Sequence, residues 1–142
     1  MNTIFAKITK KNKLLIDPTT QLVESNRYTI SCIFEEKPED LVLAAIFKLN
    51  TDATFTAFLD ENNSVVLPAK VLHKPGILSI SICGYEINSD MISEEDYKNL
   101  AVGNLHIKDI DTYLEKGHFS YNCLANKLYS TDTYKIIVKG TL

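Results

Sequence analysis

A chain of 142 residues, 45% hydrophobic and 23% charged, can bury a core as one domain, or as one domain with a small appendage, without metal or disulfide staples. A net charge of −3 argues against a broad phosphate-binding surface, and no apolar run approaches the ~20 residues that cross a bilayer. Cys32, Cys83 and Cys123 are odd in number, far apart and without CxxC spacing, which suits neither a disulfide framework nor a zinc site; buried free thiols are expected. The N-terminal MNTIFAKITKK has no long apolar stretch and no small-residue cleavage site, so no secretory signal is expected and synthesis in a cytosol is.

Thr3 to Thr9 alternates around Ile4, Ala6 and Ile8, which is strand periodicity. Lys10-Lys11-Asn12-Lys13 then turns the chain into Leu14-Leu15-Ile16, and the two runs read as a hairpin stopped at Asp17-Pro18. Lys7, Lys10, Lys11 and Lys13 contain no acid among them. They read first as a solvated turn between strands, and otherwise as a contact for phosphate or a membrane surface.

Arg27 to Glu35 is a strand with Tyr28, Ile30, Cys32 and Phe34 on one face, and the charged loop Glu35 to Asp40 follows it. Leu41 to Leu49 is apolar almost throughout. Its nine residues suit either a strand buried on both faces or a short buried helix, and the bounding turns favour the strand. Ala53 to Leu59 alternates again, Asp60-Glu61-Asn62-Asn63 turns, and Ser64 to Leu67 is a short strand. Pro68 to Leu72 suits a brief 3₁₀ connection, Lys74-Pro75-Gly76 a turn, and Ile77 to Tyr85 a regular strand with Leu78, Ile80 and Ile82 facing in.

Beyond about residue 88 the pattern changes. Ser93-Glu94-Glu95-Asp96 has the form of a capping box opening a short helix that stops before Gly103, and Asp109 to Lys116 suits a second short helix ending at Gly117. Tyr134 to Lys139 alternates as a closing strand. The expected fold is therefore mainly β: an antiparallel β-sandwich with an N-terminal hairpin over residues 1–89, and a small α/β extension over 90–142 that packs on it or serves assembly.

Chemistry is sparse in the sequence. His73 sits in a turn with no positioned partner in its local sequence, and His106 with Asp109 and Asp111 matches no metal-binding spacing. The five glycines are isolated, so no phosphate loop is formed, and no G-x-S-x-G elbow occurs. Glu35-Glu36 and Glu94-Glu95 are adjacent in sequence and diverge on any regular element, so neither is an acid–base dyad. The expectation is a non-enzymatic protein without cofactor or metal. Tyr85, Tyr97, Tyr113, Tyr121, Tyr129 and Tyr134 crowd the C-terminal part of the chain, where tyrosine rings either pack the C-terminal core or present an interface.

The ordered set Arg27 to Phe34, Leu43-Ala44-Ala45-Ile46-Phe47, Phe58 to Asn63, Val66 to Leu72 and Lys74 to Tyr85 resembles a small immunoglobulin-like domain of virion proteins from phages and prophages of low-GC Gram-positive bacteria. The likeness lies in a leucine-aspartate-glutamate-asparagine turn, a P-x-x-V-L connection and a P-G turn into a strand ending in glycine. It covers about residues 20–88. The tryptophan frequent in the family's preceding loop is absent from Glu36 to Asp40.

The resemblance implies a virion structural or adaptor protein made in the host cytoplasm: a head fibre, a head decoration, or a tail or baseplate component. Its partners would be other virion proteins, commonly within a homo-oligomer, and not nucleic acid or membrane. The candidate assembly contacts are Ile4, Lys7, Lys10, Lys11 and Lys13 of the first hairpin, with Tyr113, Tyr121 and Tyr129. On this reading, deletion of residues 1–16 leaves a soluble fold that no longer joins its assembly. Two other functions suit such a domain: a module binding carbohydrate or a host surface, and a small phage-encoded inhibitor of a host protein acting through Glu35, Glu36, Glu39 and Asp40.

Overall fold

The structure, a computed structural model, describes residues 2–87 and 124–141. The strands are β1 (Asn2–Ile8), β2 (Leu14–Ile16), β3 (Leu22–Val23), β4 (Tyr28–Phe34), β5 (Val42–Leu49), β6 (Phe55–Phe58), β7 (Ser64–Leu67), β8 (Gly76–Ile87), β9 (Leu124–Ser130) and β10 (Tyr134–Lys139). A 3₁₀ turn, Ala69–Leu72, precedes β8. The two helices expected after residue 90 lie outside the described residues.

The strands form two sheets. The first has the order β2-β1-β4-β7, and the second runs β3-β10-β8-β5-β6 with β9 also paired to β8. Alternation builds each inner face: Ile4, Ala6 and Ile8 from β1, Tyr28, Ile30 and Cys32 from β4, and Leu78, Ile80 and Ile82 from β8 are all buried. These side chains, with Phe47, Leu49, Ile136 and Val138, belong to one apolar cluster, so the two sheets share a single core. In β5, Leu43, Ala45, Phe47 and Leu49 are buried while Lys48 is exposed, which settles the segment as a strand.

The pairing is not wholly antiparallel. β1 runs parallel to β4, and β3 runs parallel to β10. The first parallel pair arises because the chain leaves the first sheet after β2, crosses to the edge of the second as β3, and returns as β4. The division expected at residues 89/90 also cuts across the second sheet. β10 lies between β3 and β8, and its Ile136 and Val138 are buried in the common core.

β9 and β10 follow one another along the same side of β8, with Ser130 opposite Cys83 and Tyr134 opposite Ile80. Buried Thr131 bridges the break between them: its amide donates to the Ile82 carbonyl at 2.9 Å, and its Oγ1 accepts from the Ile82 amide at 3.0 Å. Next to it, Asp132 joins the two sheets. Its amide donates to the Asn12 carbonyl at 3.0 Å and its Oδ1 accepts from the Leu14 amide at 2.7 Å, while the Tyr134 hydroxyl donates to the Ile16 carbonyl at 2.9 Å. Replacement Asp132→Ala leaves the part-buried Leu14 amide without this acceptor, and a loss of about 1–3 kcal/mol is expected in denaturant unfolding.

Short polar turns carry the reversals. Asp60 Oδ1 accepts from the amides of Asn62 and Ser64, both at 2.9 Å, which shapes the turn that takes the chain from β6 in one sheet to β7 in the other. Gly76 opens β8 at φ +155°, and a Cβ there would meet the Asn50 side chain, whose Oδ1 accepts from the Ile77 amide at 2.9 Å.

Candidate assembly surface

The same alternation that sends Ile4, Ala6 and Ile8 inward turns Phe5 and Lys7 outward. Lys7 stands opposite Leu15 of β2 on one side and Ile33 of β4 on the other, so these three form a row across the outer face of the first sheet. Phe5 lies two residues back on the same face, opposite Ser31. Phe5 is 63% exposed, Ile33 53% and Leu15 41%, so three large apolar side chains stand in solvent around Lys7.

The basic turn caps one end of this face. The Thr9 amide donates to the Lys13 carbonyl and the Asn12 amide to the Thr9 carbonyl, both at 2.9 Å, and Asn12 takes φ 62°. Since β1 and β4 are parallel and in register from Asn2↔Tyr28 to Ile8↔Phe34, the acidic loop after β4 emerges at the same end. Glu35 ties the two together: Oε1 lies 3.6 Å from Lys7 Nζ, and Oε2 accepts from the Lys10 amide at 3.1 Å. Lys10, Lys11 and Lys13 are exposed, and among the described residues none of them has an acidic partner within ion-pair distance.

The expected contact residues divide accordingly. Lys7, Lys10, Lys11 and Lys13 are on the surface as expected, but Ile4 is 6% exposed and points into the core, so its side chain is no contact. The strand period decides this: a β1 whose even positions are buried cannot also present Ile4. Tyr129, opposite Gly84, is half-buried, and burial pushes its phenol up from the usual tyrosine range. Tyr113 and Tyr121 lie outside the described residues. Phe5, Leu15 and Ile33 did not emerge from the sequence, although the apolar pairs Ile4-Phe5 and Leu14-Leu15 on short strands signal that one member of each faces out.

A second feature lies at the other end of β5. Leu49, Asp52, Ala53, Lys70, Val71 and His73 line an open depression of about 410 Å³. Asp52 Oδ2 lies 2.9 Å from His73 Nε2 and Oδ1 lies 3.3 Å from Lys74 Nζ. The His73 hydrogen bond, helped by Lys74, holds the Asp52 carboxyl below its ordinary value of 3.8. His73 therefore has the partner that its local sequence lacked, supplied from 21 residues away. The pair is solvent-exposed, and no hydroxyl or thiol nucleophile is among the lining residues, so it reads as a surface clamp between the β5–β6 connection and the turn before β8.

A carboxylate with a lowered folded pKa stabilises fully above its unfolded value and loses that contribution as pH falls through the folded one. The melting temperature is therefore expected to fall below about pH 4, and Asp52→Asn to flatten part of that slope. An acid limb identical in the two proteins would remove the clamp from the account.

Among the described residues no three His, Cys, Asp or Glu side chains converge as a metal site, and no helix is long and apolar enough to cross a membrane. His106, Asp109 and Asp111 lie outside them. Burial pushes the Cys32 thiol up to about 12, and Cys83 is also buried, with Sγ 3.7 Å from Ser130 Oγ. Neither is expected to react with a thiol reagent until the chain unfolds, so labelling of the native chain should leave Cys32 and Cys83 unmodified. Faster labelling at Cys32 or Cys83 would contradict the packing around them.

No protein-family model matches the chain, and none of the curated proteins matches it. Among solved structures, the fold is similar to that of the N-terminal domain of phage TP901-1 ORF48, with a TM-score of 0.52 and 11% identity over 98% of this chain and 99% of that one. At that identity the likeness is one of fold.

Proposed function

We propose that this chain is a structural or adaptor protein of a bacteriophage particle, that it works by protein–protein assembly, and that its two sheets are an immunoglobulin-like sandwich. The observation that carries the reading is the likeness to a phage protein domain over nearly the whole of both chains. The strand order supports the immunoglobulin-like arrangement. β4 with β7 corresponds to the B–E pair, and β8 with β5 and β6 to F–C–C′. β10 corresponds to strand G, with the short β3 added parallel to it. The hairpin β1–β2 then occupies the place beside strand B.

The outer face of the first sheet is the surface through which such a module would act, because apolar side chains and uncompensated positive charge adjoin there. Production in the host cytoplasm and residence in the virion follow from this reading, as do virion proteins as partners. Mass spectrometry of particles purified from an induced lysate tests it. The chain is expected in the particles at a stoichiometric level, and its absence from particles while abundant in the lysate would refute the assignment. Binding to a defined glycan by the isolated chain, with no incorporation, would favour a carbohydrate-binding module instead.

A further inference from the structure

One end of the first sheet carries opposite charges on its two sides. On the β2 side of the β1/β4 pair, the turn holds Lys10, Lys11 and Lys13, all exposed. On the β4 side, at the same end, the connection that leaves for the second sheet holds Glu36, Glu39 and Asp40 around Lys37, all exposed and without an ion-pair partner among the described residues. Phe5, Leu15 and Ile33 stand on the outer face that adjoins this end.

Identical faces that meet across a two-fold axis must be self-complementary. A two-fold axis lying between two such faces and parallel to β1 and β4 keeps the ends together and exchanges the sides. It therefore sets the basic turn of one copy against the acidic loop of the other, and lays Lys7 of one copy over the Ile33 side of its partner. We infer that this face is a homodimer interface, with a second copy of the chain as its occupant. The inference rests on the assembly reading above and deepens it by naming the partner of the same surface.

The test uses the full chain in solution. Light scattering after size exclusion should give twice the monomer mass at about 100 μM, with dissociation on adding salt, because exposed complementary charges are screened within about a Debye length. Ile33→Asp, on the exposed face, should weaken the dimer by at least about tenfold while the far-ultraviolet circular dichroism stays unchanged. The decisive arm is a charge swap. K10E/K11E/K13E and E36K/E39K/D40K should each be monomeric alone and pair when mixed.

A chain that is monomeric at about 100 μM overturns the inference, as does a dimer indifferent to Ile33→Asp or a mixture that does not pair. A monomer in solution that still enters particles, its lysines linked to a different virion protein, would overturn the dimer and leave the assembly reading standing.

Discussion

Deletion of residues 1–16 is expected to abolish cooperative folding. From the sequence the first hairpin reads as a detachable docking arm. In the structure β1 is an interior strand of the first sheet, paired with β2 on one side and with all seven residues of β4 on the other. The hairpin places Ile4, Ala6, Ile8, Leu14 and Ile16 in the core. Burial of the four larger side chains contributes about 6–12 kcal/mol, at about 1.5–3 kcal/mol each. That is comparable with the whole stability of a domain, about 5–15 kcal/mol. The truncated chain would also expose β4 as a long open edge, which invites aggregation. The expected result is insoluble protein or a thermal scan without a cooperative transition. A soluble truncation that melts cooperatively near the full-length temperature would mean that the hairpin is an appendage after all.

Phe47→Ala carries the second largest expected effect. Phe47 is fully buried on the inner face of β5, opposite Phe55 of β6 and Ile80 of β8. Its truncation should cost about 3–5 kcal/mol, because the transfer free energy is lost and a cavity remains between the sheets. A fall in melting temperature of about 10 °C or more follows for a chain of this size. The neighbouring Lys48→Ala, on the exposed side of the same strand, should change stability by no more than about 0.5 kcal/mol. Equal effects at 47 and 48 would contradict the strand alternation on which the core depends.

This pair of positions also shows where the sequence was legible. In β1, β4 and β8 the period-two pattern names the buried residues directly, and the turn at Asp60 to Asn63 follows from local hydrogen bonding by Asp60. Of the five non-glycine residues with positive φ among those described, four are Asn or Asp, so turn geometry is written in local composition.

What could not be read is non-local. Nothing in Leu22-Val23 announces a strand, because its two residues are held by their register with Val138 and Lys139 from the other end of the chain. β9 lacks alternation because its pairing with β8 shifts register twice, between Gly84 and Tyr85 and between Tyr85 and Ile87. The parallel β1–β4 pair, the Asp132 bridge between the sheets and the Asp52–His73 clamp all join residues more than 20 positions apart, which no window of sequence displays.

The same limit applied to the surface. The lysines of the first turn were visible as a charge cluster, but the apolar patch beside them depends on β2 and β4 flanking β1, a fact of topology. Ile4 turns inward for the related reason that β1 is an interior strand and not a free terminal arm. Once β1 is interior, Ile4, Ala6 and Ile8 are committed inward, and Phe5 and Lys7 face out.

Amine-reactive cross-linking of intact particles, read by mass spectrometry, tests most directly the claim that this face joins the chain to its neighbours. Links from Lys10, Lys11 or Lys13 to another polypeptide, whether a second copy or a different virion protein, are the result expected here. Particles that contain the chain but link it outward only through lysines of the opposite sheet, such as Lys48 or Lys135, would contradict it.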